Sequence, residues 1–163
     1  MSPITDRYRR WFEYEKDAHA KVLMALHAVP AAERSSPGFQ KAVDLVAHML
    51  AARRLWLFRL GAAAVPPSEL FPAGTPVESL RAGADEVEAA WDGYLAALDD
   101  GAAATFFEYQ SVEGERYRNR VEDILAQLFG HSSYHRGQIA LLLRSGGHEP
   151  AVTDFLFWTR EPI

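Results

Sequence analysis

Apolar residues recur along most of this chain at intervals of three and four, the period that lays one stripe down an amphipathic helix. The first run extends from about Asp6 to Val29, with Trp11, Ala18, Val22, Ala25 and Val29 on one face and Pro30 closing it. A second starts at Ser36 and Pro37, an N-cap followed by proline in the first turn, and continues to Gly61. Its apolar positions cover most of the circumference, which predicts a central helix. The next stretch, AAAVPPSELFPAGTP, carries Pro66 and Pro67 and reads as a connection. Thr75, Pro76 and Glu78 then have the form of a capping box, ahead of Val77, Leu80, Ala84, Val87, Trp91, Tyr94 and Leu98 at helical spacing. A fourth long run spans roughly Val121 to Arg144 and stops at the sequence SGG. Before it, TFFEYQSVEGERYRNR is aromatic and β-branched on both sides of Glu113 and Gly114, the pattern of a short hairpin. The tail HEPAVTDFLFWTREPI is aromatic enough to be expected against the helices. The pattern predicts an all-α protein, an up-down four-helix bundle with a short β-hairpin before the last long helix, in a single domain over residues 1–163.

Composition narrows the function classes. Hydrophobic residues make up 48% of the chain and charged residues 24%, the profile of a folded globular domain. The net charge is -5 and the arginines are scattered, so no basic stripe suits a nucleic acid backbone. No apolar run is long enough to span a membrane, and the N-terminal segment MSPITDRYRRWFEYEK is charged where a signal peptide would be apolar. A cytoplasmic location is therefore expected. With no cysteine, any metal site must use nitrogen and oxygen ligands.

Candidate chemistry centres on LFGHSSYHRGQIALLL. Ile124, Leu128, His131, His135, Gln138 and Leu142 form one helical stripe, which predicts that the two histidines face the core. Residues four apart on a helix can converge on one ion, although an H-x-x-x-H pair alone is a weak motif. Ser132 stands where helical zinc peptidases carry their general base, so a peptidase motif is absent. His48, in the apolar second helix, is the third candidate; sharing one divalent ion would satisfy all three imidazoles, whereas separately each needs a carbonyl or carboxylate. Asp44 stands as an outer-shell acceptor or a solvated carboxylate, and His19 as an occasional fourth ligand or a partly exposed helix histidine beside Glu15. His27 and His148 read as structural or inert. Arg136 serves equally as an anion clamp or a surface ion pair.

Taken together, HSSYHRGQIALLLRSGGHEP, LVAHMLAARRLWLFRL and the aromatic YRRWFEYEK resemble the DinB-like superfamily, the damage-inducible family of metal-dependent four-helix bundles. The resemblance covers nearly the whole chain and implies a metal on His48, His131 and His135. Many members carry a further histidine one turn before the pair, where this chain has Gln127. Characterised relatives include thiol-dependent S-transferases and a thiol-dependent isomerase. The resemblance thus implies a divalent metal ion, zinc or nickel foremost, and a low-molecular-weight thiol as cofactor, with a small molecule as substrate. Trp56, Tyr134 and Arg136 are the candidates to shape the pocket mouth and bind the thiol. A metal-dependent thiol transferase acting on small electrophiles in stress response or detoxification is the leading function; a metal-dependent hydrolase and a non-catalytic metal-stabilised bundle are the alternatives. The family and the aromatic excess of TFFEY and DFLFW also imply a homodimer.

Overall fold

The computed structural model describes residues 3–163; Met1 and Ser2, which the single-domain reading included, lie outside the described residues. Four long helices, α1 (Ile4–Ala28), α2 (Pro37–Arg59), α3 (Leu80–Ala97) and α5 (Val121–Ser145), make the bundle. A one-turn helix α4 (Asp100–Ala103) and a hairpin of β1 (Phe106–Gln110) and β2 (Arg116–Arg120) lie between α3 and α5, and a short α6 (Phe155–Thr159) ends the chain. Among the described residues no helix is long and apolar enough to cross a membrane.

Local chemistry sets the helix ends. Ser36 accepts from the Phe39 amide at 3.3 Å to start α2. The start of α1 has no cap of its own; the Asp100 carboxylate accepts from the amides of Ile4 and Thr5 instead. The capping box expected at Thr75 and Glu78 does not form. Residues Val77–Ser79 make a 3-10 turn, and the Thr75 amide donates to Asp44 at 3.0 Å while Glu78 reaches Arg34 at 3.5 Å. A carboxylate from α2 has displaced the local cap. At the end of α5 the chain reverses through Gly147, whose φ of 81° suits glycine alone among common residues.

The hairpin forms where the aromatic stretch predicted it, with Phe106 opposite Arg120 and Tyr109 opposite Tyr117. Its turn passes through Gly114 at a φ of 94°. The hairpin lies against α2, where Tyr109 meets Trp56 edge to face at 4.9 Å. The aromatic tail packs as expected: Phe155 meets Tyr14 at 5.0 Å and Phe129 at 6.2 Å.

Packing between helices runs α1 to α3, α3 to α2, α2 to α5 and α5 back to α1. The consecutive helices α1 and α2 thus lie across the diagonal of the bundle. One continuous core fills the centre, with Trp91, Leu26, Leu23, Met49 and Ile139 fully enclosed. Every Å² of that apolar surface withdrawn from water stabilises the fold by roughly 25 cal/mol.

Candidate metal centre

Because α2 packs directly on α5, a side chain from the middle of α2 can meet two from α5. His48 does so: its Nε2 lies 3.1 Å from Nε2 of His131, and the His135 Nε2 lies 3.1 Å from the same atom. The three ligand atoms all fall within 4.8 Å of one another. Imidazoles bound tetrahedrally to one ion at about 2.05 Å per bond would stand roughly 3.3 Å apart, so this spacing suits a shared ion.

The outer nitrogens show what the inner ones can do. Nδ1 of His48 is 2.7 Å from the Leu70 carbonyl, and Nδ1 of His135 is 2.7 Å from Oε1 of Gln138. Both oxygens accept, so each Nδ1 carries the proton and each Nε2 turns a lone pair inward. Burial first, and then the neighbouring His135 and His48, push the pKa of His131 down to about 4. Burial also lowers His135, against the opposing effect of its hydrogen bond to Gln138. Near neutral pH His131 is therefore uncharged, and the one proton its Nε2 can offer to the two facing nitrogens is the proton that a metal ion would displace. Three electron-rich atoms facing one point are what a cation relieves, and the residues present fit a divalent ion. Phe71, in the α2–α3 connection, stacks on the His48 ring at 4.6 Å and helps fix its plane.

A profile of the DinB family matches residues 1–162. The chain belongs to the DinB family. A DinB-like protein from Bacillus cereus ATCC 10987, known from its crystal structure, is similar in fold with a TM-score of 0.67 at 19% identity, over 89% of this chain and 94% of that one. No curated protein matches the chain.

Two cavities open on the triad of this DinB-family bundle, one on each side. The first, about 310 Å³, lies between α2, α5 and the hairpin and is lined by His48, His131, Trp56, Gln127, Arg59 and Tyr109, among others. The second, about 620 Å³, is bounded by His48, His135, Tyr134, Phe71 and Lys41. Trp56 and Tyr134 thus stand on opposite approaches. Gln127, the departure from the family pattern, lines the first cavity together with His48 and His131.

Arg136 does not join them, which corrects its expected place at the mouth. It is buried, and its guanidinium donates to Glu15 at 2.6 Å and to the Tyr14 hydroxyl at 3.0 Å. The reason is rotational. The buried face of α5 runs through Leu128, Ser132, Arg136 and Ile139, and the histidines flank it, half-buried, instead of pointing at its centre. Asp44 likewise accepts from Gln40, Gly74 and Thr75, pinning the connection before α3, while His48 uses Leu70. His19 is buried next to Glu15 and Glu88 and is no member of the ligand cluster.

Around Glu15 lies a polar network that the periodicity did not reveal. Arg53 donates to Glu15 at 2.5 Å and to Ser132 at 3.0 Å, so the α1 carboxylate holds two guanidinium groups, one from α2 and one from α5. Burial pushes the Glu15 carboxyl up, but Arg53 and Arg136 outweigh it and leave the pKa below the usual value. Through Ser132 this network abuts the helical turn that joins His131 to His135. The available signal was Glu15 itself, an acid on the stripe between Trp11 and Ala18.

Proposed function

We propose that His48, His131 and His135 hold one divalent ion, zinc or nickel, and that the protein uses it to join a low-molecular-weight thiol to a small electrophile in detoxification or stress response. The observation that carries this reading is the convergence of three Nε2 atoms between two open cavities, with two of the Nδ1 atoms tied to protein acceptors. A divalent ion bound there would lower the pKa of a thiol and so supply a nucleophile.

The chain does the positioning. Leu70 and Gln138 hold two imidazoles in the tautomer and orientation that ligation requires. Trp56 and Gln127 on one side, and Tyr134 and Phe71 on the other, bound two approaches by which thiol and electrophile could meet. Ser132 is occupied with Arg53, and among the described residues the ligand cluster consists of histidines alone.

Cobalt-substituted protein should develop a sulfur-to-metal charge-transfer band when small thiols are added, and conjugation of the thiol to an epoxide or halide should require all three histidines. A panel of thiols that leaves the spectrum unchanged would sink the transferase reading; exchangeable water on the ion would then favour hydrolysis, and saturation by protein ligands a structural role. The proposal extends to a homodimer, supported by the exposed Phe106 of the hairpin and the exposed Leu156 and Phe157 of α6. Sedimentation at micromolar concentration should show a species of twice 18.2 kDa, and a monomer alone would count against it.

A further inference from the structure

We propose that the cavity between the hairpin and α2 is a subsite for the carboxylate of an elongated acid, anchored by Arg59. This rests on the proposed thiol chemistry insofar as the acid would be carried by the thiol or by the electrophile that reacts at the triad.

The placement follows from helical spacing. His48, Ala52, Leu55 and Arg59 recur at four, three and four residues, so α2 sets them along one wall of the same cavity. His48 stands at the triad end and Arg59 at the far end. Their Cα atoms are eleven residues and hence about 16 Å apart along the axis, and side chains on a helix lean toward its N-terminus. The gap between the guanidinium and the triad is then on the order of 10 Å.

Arg59 is preorganised for an anion. Its guanidinium lies over the rings of Trp56 at 4.8 Å and Tyr109 at 4.9 Å, and Nη2 donates to the Gln110 carbonyl at 2.7 Å. Other arginines near the bundle core or its rim have acids: Arg53 and Arg136 share Glu15, and Arg54 meets Glu86 at 2.9 Å. Arg59 has no ion pair among the described residues, although it is half-buried and burial lowers its pKa. A positive charge held in place, partly dehydrated and lacking a counter-charge calls for a ligand that supplies one. Its planar fork matches a carboxylate. Glu113 also lines the cavity from the hairpin turn, but it is exposed and makes no pair with Arg59. Between the two ends the walls are Leu55, Trp56, Val112, Tyr109 and Tyr117, which suits an apolar or flat body. The cavity across the triad offers Lys41, a flexible ammonium that binds anions as a point charge, so the geometric match lies with Arg59.

The test compares acids with alcohols of equal length by calorimetry. Metal-free protein is titrated with 6-phenylhexanoate and 6-phenylhexan-1-ol, and cobalt-loaded protein with 6-mercaptohexanoate and 6-mercaptohexan-1-ol. The acid of at least one pair should bind about tenfold more tightly than its alcohol, and which pair shows the preference tells whether the thiol or the other reactant carries the carboxylate. Arg59→Gln should abolish the preference, Arg59→Lys should keep part of it, and Lys41→Gln should leave it intact. Mercaptoacetate, too short to reach, should bind independently of Arg59. A preference that survives Arg59→Gln, one lost in Lys41→Gln, or none in either pair would overturn the subsite. If the phenyl acids show the preference while neither mercaptan gives a cobalt band, the subsite stands and the thiol chemistry fails. If both mercaptans give bands and neither pair shows an acid preference, the thiol chemistry stands and the subsite fails.

Discussion

His131→Ala should lose stoichiometric metal, with affinity for zinc or nickel falling by at least about a hundredfold in competition with a chelating dye. Loss of an outer-shell partner typically costs 10–100-fold, and removal of a ligand must exceed that. His131 is the expected worst case because its Nε2 is the atom that lies 3.1 Å from both other Nε2 atoms. His48→Ala and His135→Ala should follow closely. Gln138→Ala, which removes the oxygen 2.7 Å from the His135 Nδ1, should cost about tenfold. His148→Ala is the control, since His148 sits 3.6 Å from Glu33 and away from the cluster. Undiminished binding in a protein lacking all three ligands would rule out the metal centre.

Glu15→Gln should be the most damaging conservative change away from the metal. It keeps the volume but leaves Arg53 and Arg136 buried without the carboxylate that both bond, and breaking a buried ion pair costs about 3–5 kcal/mol. For a chain of this size that lowers the melting temperature by roughly 10 °C. Glu13→Gln, which loses only an exposed pair with Lys16, should change it by no more than a degree or two. Acid should expose the same network, and the signs agree. Glu15 has a folded pKa below its usual value, so its contribution is full above about 4.5 and is lost as pH falls through the folded value. Burial and Arg53 hold His19 neutral down to about 3, despite carboxylates at 3.4 and 3.8 Å. An unfolded chain takes up that proton near 6.5, so stability falls as pH drops from about 6.5 toward about 3. His19→Gln should flatten the slope in that window by up to ~1.4 kcal/mol per pH unit; an unchanged slope in denaturation curves of metal-free protein would refute the assignment.

Much of the architecture was legible in the linear chain, because the signals involved are local. Pro30, the Ser36–Pro37 pair and Gly146–Gly147 bound their helices through backbone chemistry within a turn or two. The hairpin announced itself through aromatic runs about Glu113 and Gly114. The meeting of His131 and His135 likewise needs only one turn of helix, and His48 was a candidate from its place in the apolar second helix, with which the family pattern agreed. Where the cap was borrowed from another helix, as when Asp44 took the Thr75 amide, the local signal misled.

What the sequence by itself determined is therefore the four long helices, the hairpin and the pairing of His131 with His135 on one helix face, all of which follow from short-range periodicity or from motif. Only the tertiary structure decided the neighbours of each face. It set α1 diagonal to α2, so that Glu15 could reach Arg53 and Arg136 together and draw Arg136 into the core. It also laid Tyr109 over Arg59, 50 residues away in the chain, and gave the triad a cavity on either side. A helical period specifies which residues share a face but not what covers it. Burial, and with it the protonation and reach of a charged side chain, depends on that cover.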